Sequence, residues 1–574
     1  MTLRAERDGI SVRAIRGART ILLAMDVKTA RARRGLLGFA IGRKKSNGQV
    51  KWMHGFKAFE DTVETPKPGN RYLTFEQPIQ SFQWGDYSVR PGKVVTYVVM
   101  PVRGQPDALE HGAPIELEVQ AASESEGEQC LFFNRGAIPS QAFASKFGNV
   151  GPTQAEQNDP TNAKVKWLSR GLLEATLRFI RQARSNRHEL RVAAYEFYYP
   201  PILAALKEAA TRGATVRIVF DAGDERRDGT ISHSSISDEN LRAIEAHGLS
   251  VMTKVRLYPR TRYSAITHNK FMVLLDRERP IEVWTGSTNF TPSGFLGQSN
   301  VGHWLRNAEV AQRYNHYWEL LAKNPGTRSF KRDIMLSFPD PVSPSTPFRC
   351  VFSPRRRGMM DWYADRFGEA KRSIMFTSAF GVAPQIAAKF AEDRDHLRFI
   401  LMERRDRNLE EQAMVESDRD TRVALGERLN SEAIRLKLGG HALDEWFREE
   451  EHFRKRGHIF YVHTKYMLID PLSSNPQIFN GSANFSDNSV ENNDENMLLI
   501  SGQPARDIAE TFVAEYQRLF NHLYFRTVAI AAAKRRQPRH SSTRAIMHLD
   551  PTDEWVKAHF RRGTYRHKRR QLFS

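Results

Sequence analysis

Cysteine is scarce: Cys130 and Cys350 are the only two among 574 residues. They lie far apart and form no ligand cluster, so neither a disulfide framework nor a cysteine metal site is expected. No apolar run approaches the ~18 residues that a membrane span needs. The first residues, MTLRAERDGISVRAIRG, hold no apolar core and no small-residue cleavage site. They do not read as a secretory signal. Together these shortages predict a cytoplasmic protein.

Positive charge is in excess. The net charge is +20, with 26% charged and 40% hydrophobic residues. That composition fits a folded protein with polyanionic partners: nucleic acid, an anionic membrane surface or a phosphorylated substrate. The length predicts roughly three or four structural units.

Residues 1–122 read as an all-β, sandwich-like domain. Runs such as RTILLAMDV (19–27), GLLGFAIGRK (35–44), VKWMHGFKAF (50–59), VVTYVVMPV (94–102) and APIELEVQA (113–121) are punctuated by Pro and Gly clusters. Such a domain suits binding a protein partner more than catalysis. Polar, turn-rich residues 123–165 read as a linker. From 166 onward helix and strand patterns alternate, as in a parallel or mixed sheet covered by helices. The pattern then repeats, giving one lobe over 166–345 and a second over 346–526. A highly charged stretch at 405–459 reads as an insertion in the second lobe. The tail 527–574 is basic: residues 534–574 hold 12 Lys and Arg against 3 acids, with Trp555, Phe560 and Tyr565 interleaved. Basic residues with aromatics suit nucleic acid or an anionic bilayer, unless the tail is simply solvated.

The sharpest signal is a tripeptide written twice. THNKFMVLLD (267–276) and VHTKYMLID (462–470) place His268 and Lys270, then His463 and Lys465, inside apolar strands 195 residues apart. Residues i and i+2 of a strand share a face. Two unpaired cations in an apolar strand are costly, and a site for phosphate explains them. The near-copies WTGSTNF (284–290) and FNGSANF (479–485) follow, with 18 residues from histidine to glycine in each. Ser287 matches Ser482, and Asn289 matches Asn484. Their hydroxyls and amides are candidate donors to a phosphate oxygen. One His-x-Lys would mean little; two in matching contexts at one spacing point to chemistry.

His463-x-Lys465-x₄-Asp470 followed by Gly481-Ser482-x-Asn484 resembles the signature of the phospholipase D superfamily. The resemblance covers about residues 166–526. It implies an α/β fold of two duplicated α/β/α lobes packed as a pseudodimer around one site, preceded here by the β domain. It implies no cofactor and no metal. One histidine attacks phosphorus and forms a phosphohistidine; the other protonates the leaving oxygen and then activates water. By resemblance His268 is the nucleophile and His463 the acid, with Lys270, Lys465, Asn289 and Asn484 as catalytic partners. Glu495 matches an acidic residue that orients a histidine, here expected to be His463; the first half offers Gln298 and Asn300. Asp470 and Asp276 are expected to be structural. The first copy runs one residue longer, to Asp276, which predicts a slid turn or a bulge. His233 and His303 read as surface or structural residues. The stretch FQWGDYSVRPGKVVTYVV (82–99) resembles a fibronectin type III or immunoglobulin-like module, with a buried Trp or Tyr and a closing strand pair.

The expected activity is metal-independent hydrolysis of a phosphodiester, with a phospholipid headgroup first. A nuclease acting on DNA or RNA is the alternative, and the net charge and basic tail favour it. A transferase of the cardiolipin synthase kind ranks third, since such enzymes carry membrane spans. A degenerate binding module would have lost a His or Lys, and all four are present.

Overall fold

The computed structural model describes residues 3–64, 70–135, 143, 146–148, 150–226, 228–262, 266–339, 346–379, 381–392, 394–403, 415, 418–426, 461–534 and 548–574.

The N-terminal region is rich in β-sheet. It opens with a hairpin of Leu3–Arg7 on Ile10–Arg16. Its two-residue turn is Asp8-Gly9, both with positive φ, a turn whose twist matches paired strands. Ile21–Val27 and Gln83–Asp86 complete that sheet. A second sheet holds Gly38–Lys44, Val50–Trp52, Val94–Gln105, Ala108–His111 and Ile115–Gln120. Apolar residues of both sheets share one core, including Val12, Leu23, Phe39, Val99 and Leu117. The strand pair expected within 82–99 does not form, because Gln83–Asp86 and Val94–Gln105 lie in different sheets. Tyr97 is fully buried and donates its hydroxyl to Asp86 at 2.7 Å.

Both lobes build a seven-stranded sheet of one order. By first residue, the first lobe runs Gln129, Val301, Arg279, Lys270, His188, Thr215, Val255, and the second runs Phe348, Glu495, Gln477, Tyr466, Ser373, Leu397, Thr421. The pairings match in sense: the last two in each sheet are parallel and the rest antiparallel. The outer face of the first sheet packs on helices Leu172–Arg181 and Pro200–Thr211. The second does the same with Met359–Gly368 and Pro384–Ala391. The inner faces join one common core, which holds helices Ala308–Ala322 and Gly502–Lys534. Among the described residues no helix is long and apolar enough to cross a membrane.

Three expectations need correcting. The segment expected as a linker supplies Gln129–Phe133, an edge strand of the first-lobe sheet paired with Val301–Leu305. Its apolar run Cys-Leu-Phe-Phe is short and hidden between polar stretches. The insertion expected at 405–459 contains Thr421–Leu425, the edge strand of the second-lobe sheet; most of the remainder lies outside the described residues. The tail is in large part folded. Helices Glu554–Phe560 and Tyr565–Phe573 dock between the β domain and the second lobe. Trp555 and Phe560 pack on the β-domain core, and Tyr565 sits in the core of the lobes. Lys568 pairs with Asp395 and Asp420, and Arg570 with Asp26. These aromatics and cations bind the chain to itself, because burying the rings beats leaving them in water. Residues 535–547 lie outside the described part.

A buried ionic cluster joins the three units. Glu515, from the long helix of the second lobe, accepts from Arg170 at 2.7 Å, Arg518 at 2.8 Å and Thr20 at 2.8 Å. Burial alone would raise this carboxyl. The Arg170 and Arg518 charges and hydrogen bonds overcome burial and hold it down at about 2, from 4.5. Its ionised form therefore stabilises the fold fully above pH 4.5, and that stability is lost as pH falls through about 2. Glu515→Gln should cost about 3 kcal/mol at pH 7 and flatten the acid side of the stability curve, read by chemical denaturation across pH.

Candidate active site

The His-x-Lys strands lie near the middle of each sheet, and the alternation works as the pattern predicts. Phe271, Val273 and Leu275 enter the shared core, while Met272 and Leu274 face the outer helices. His268 and Lys270 share the face of Met272, just where the strand begins. His463 and Lys465 likewise share the face of Met467 and Ile469. All four are nearly buried. Lys270 donates to the His268 carbonyl at 2.6 Å, and Lys465 to the His463 carbonyl at 2.7 Å.

The two lobes meet through matching backbone bonds. Ser299 N–H donates to Tyr461 O at 2.7 Å, and Asp494 N–H donates to Ile266 O at 3.0 Å. The residue after each of these crosses to the other lobe's histidine. Glu495 lies 2.9 Å from His268 Nδ1, and Asn300 Oδ1 lies 2.8 Å from His463 Nδ1. Each acceptor also takes a serine hydroxyl from its own lobe: Ser482 to Glu495 at 2.7 Å, Ser287 to Asn300 at 2.8 Å. The arrangement is one twofold pattern with one substitution in it, a carboxylate on one side and an amide on the other.

Those contacts set the tautomers. A carboxylate only accepts, so His268 carries its proton on Nδ1. Asn300 donates its amide to Gly294 O at 2.8 Å, which leaves Oδ1 as an acceptor, so His463 also carries a proton on Nδ1. Both histidines thus keep Nε2 for chemistry.

Several expectations change here. Glu495 serves His268, not His463: strand spacing within one lobe cannot show that the carboxylate crosses the interface. Asn300 takes the place expected of Gln298, whose Oε1 has no hydrogen-bond partner among the described residues. Ser287 and Ser482 do not offer their donors to phosphate. Their hydroxyls are given to Asn300 and Glu495, and their N–H groups to Val301 O and Asn496 O. Asp470 stands away from the chemistry, accepting from the N–H groups of Lys371, Arg372 and Ser373 at 2.7–2.9 Å. Asp276 pairs with Arg187 instead. The extra residue of the first copy is absorbed by a bulge between Leu274 and Leu275. His303 is fully buried.

Burial, then the charges of Lys270 and Lys465, holds His268 well below its ordinary value. Burial and the same two lysines do so for His463. Burial pushes Lys270 down to about 7, with Glu495 and Glu196 pulling it back. Lys465 is lowered by burial and by Lys270. Burial pushes Glu495 up to about 7 against the pull of Lys270, Ser482, Asn493 and Lys465. The site is a pair of neutral imidazoles beside cations that gain from any arriving anion.

One residue escaped the sequence reading. Glu196 follows the strand His188–Ala194 and accepts from the Asn289 amide. Its carboxyl is raised by burial and lowered by Lys270, Asn289 and Lys465. Tyr195 beside it meets the His268 ring edge-on at 5.2 Å. A charge at the carboxyl end of the strand next to the motif strand was the available signal. Asn484, the counterpart of Asn289, is nearly buried, and its Oδ1 has no partner among the described residues.

A family profile described as "Cardiolipin synthase, PLD-like domain" matches residues 177–321 and 371–524. No curated protein matches the chain. Among solved structures, a polyphosphate kinase from Porphyromonas gingivalis is 13% identical, covering 57% of this chain and 46% of that one, with a TM-score of 0.35. A phosphatidylserine synthase from Haemophilus influenzae Rd KW20 is 12% identical, with 67% and 94% covered and a TM-score of 0.38. A phospholipase D family member, Nuc, from Salmonella typhimurium is 24% identical, with 26% and 86% covered and a TM-score of 0.21. The two profile matches make up just over half of the sequence and fall one on each lobe, so the chain belongs to the phospholipase D-like domain family.

Proposed function

We propose that the protein is a phosphodiester hydrolase that works through a phosphohistidine on His268. The observation behind this reading is the asymmetry of the crossed pairs: Glu495 on His268, Asn300 on His463. A histidine that takes a phosphoryl group becomes cationic, and a buried carboxylate on Nδ1 stabilises that charge. A histidine that must give up a proton is a better acid on a neutral amide. Nε2 of His268 attacks phosphorus and the N–P bond forms. The bond to the leaving oxygen breaks, and that oxygen takes a proton from His463 Nε2. His463 then takes a proton from water, whose oxygen breaks the N–P bond and yields a phosphomonoester. Lys270 and Lys465 neutralise the phosphate oxygens, and their charges, once matched by substrate, no longer keep His463 from holding its proton.

The matched family description names cardiolipin synthase, which supports a phospholipid diester as the first reading of the substrate. The +20 charge favours nucleic acid as the second reading. Purified protein in excess EDTA, incubated in parallel with phospholipid vesicles and with single- and double-stranded DNA and RNA, separates them. Release of headgroup without cleavage of nucleic acid is expected; the reverse establishes the nuclease. Activity should survive EDTA, because two ammonium groups already face the phosphate position. Loss restored by Mg²⁺ or Zn²⁺ contradicts the mechanism.

The pH profile follows from Lys270 and Glu495. In the free enzyme the Lys270 charge is present below about 7 and lost above it. Glu495, also at about 7, must lose its proton to accept from His268, so kcat/KM should peak near pH 7 and fall on either side, while the basic limb of kcat lies higher, because bound phosphate keeps the lysines protonated. Coincident basic limbs in the two profiles would count against this role.

A further inference from the structure

Glu196 is a carboxylate placed in a phosphate site. The chain that carries it is held on three sides. Tyr195 N–H donates to Asn269 O at 3.0 Å, Phe290 N–H donates to Glu196 O at 3.1 Å, and Tyr199 N–H donates to Phe290 O at 2.9 Å. Phe197 N–H donates to Asn240 Oδ1 at 2.7 Å. These bonds fix the backbone of Glu196 against both the His268 strand and the Gly-Ser turn that bears Asn289. The side chain takes one Asn289 amide hydrogen, and Asn289 Oδ1 is buried with no partner among the described residues. Its carboxyl lies within the electrostatic reach of Lys270 and Lys465, which pull it down, and of Glu239, which pushes it up. In sequence, the position of the second lobe that matches Glu196 is Phe380.

An ordinary diester site with two lysines would attract a dianion more strongly than a monoanion. A diester carries one negative charge. The monoester it becomes carries nearly two at neutral pH, since its second pKa is about 6. A hydrolase built only of cations would hold its product better than its substrate.

Building on the hydrolase reading above, we propose that Glu196 sets the charge that the site accepts: it favours phosphate groups with a single negative charge and expels the dianionic monoester product. It does so by cancelling one of the two lysine charges that a bound anion keeps protonated, and by taking one of the two Asn289 amide hydrogens that a phosphate oxygen would otherwise take. Glu196 is thus a selectivity residue for anion charge.

The test is binding, measured apart from turnover. Inorganic phosphate and dimethyl phosphate are titrated at pH 7.5 by ³¹P line broadening, counting only the binding that Lys465→Ala removes. In Glu196→Gln, phosphate should bind about tenfold tighter, and dimethyl phosphate should change by less than about threefold. Glu196→Asp keeps the charge and should stay near the wild type, and thermal melting confirms that both variants fold. In turnover, Glu196→Gln should be inhibited by its monoester product at about tenfold lower concentration. An unchanged ratio of phosphate to dimethyl phosphate affinity in folded Glu196→Gln overturns the proposal. So does the absence of any Lys465-dependent anion binding. A wild type that shows the binding ratio but cleaves no diester counts against the hydrolase reading and leaves the charge selectivity supported.

Discussion

His268→Ala and His463→Ala should each lower turnover of a natural diester by about 10⁴-fold or more, and the double variant should fall little further. The reason is the crossed construction. Each imidazole is held by the other lobe, Glu495 for His268 and Asn300 for His463, so the lobes share one site and its groups act as a unit. Half activity in each single variant would mean two independent sites. The two losses should part on an activated substrate. With p-nitrophenyl esters the leaving group departs without a proton, so His463→Ala keeps more activity than His268→Ala. Phosphoenzyme should also accumulate there, because no base activates the water.

Glu495→Gln is expected to lower kcat by about 10²–10³-fold while leaving KM within a few-fold, since the lost charge matters once His268 has become cationic. Glutamine can still accept from Nδ1, so the ring keeps its place. Equal effects on kcat and KM would point to disorder of the site instead. The reciprocal exchange is more discriminating. Glu495→Gln combined with Asn300→Asp moves the carboxylate to His463, and labelled phosphate should then shift towards His463. A label that stays wholly on His268 in that variant would show that something other than the carboxylate assigns the roles.

Much of this site could be read from the sequence, and what could not has a physical reason. Duplicated His-x-Lys and Gly-Ser-x-Asn stretches pointed to the two buried His and Lys pairs and to the doubling of the lobes, because strand periodicity puts i and i+2 on one face whatever surrounds them. The bulge at Leu274–Leu275 was foreseeable from the extra residue before Asp276. Partners across the interface were not. Glu495 and Asn300 follow their own lobe's turn by a similar spacing, and only the packing of two sheets shows that each serves the other lobe. Ser287 and Ser482 looked like phosphate donors because a hydroxyl's partner cannot be read from its position. The basic tail misled in the same way. Trp555, Phe560 and Tyr565 look like a stacking surface until their rings are seen to pack on Phe39, Phe82 and Phe399 of the same chain.

Which histidine carries the phosphoryl group is the measurement that bears most directly on the account. His463→Ala mixed with a ³²P-labelled diester, quenched in acid after one turnover and digested, should yield label on the peptide containing His268, stable in alkali and lost in acid as a phosphohistidine is. In wild type the same peptide should be labelled transiently. Label on the His463 peptide of the wild type, or of a His268→Ala variant that still turns over, contradicts the assignment built on Glu495 and Asn300.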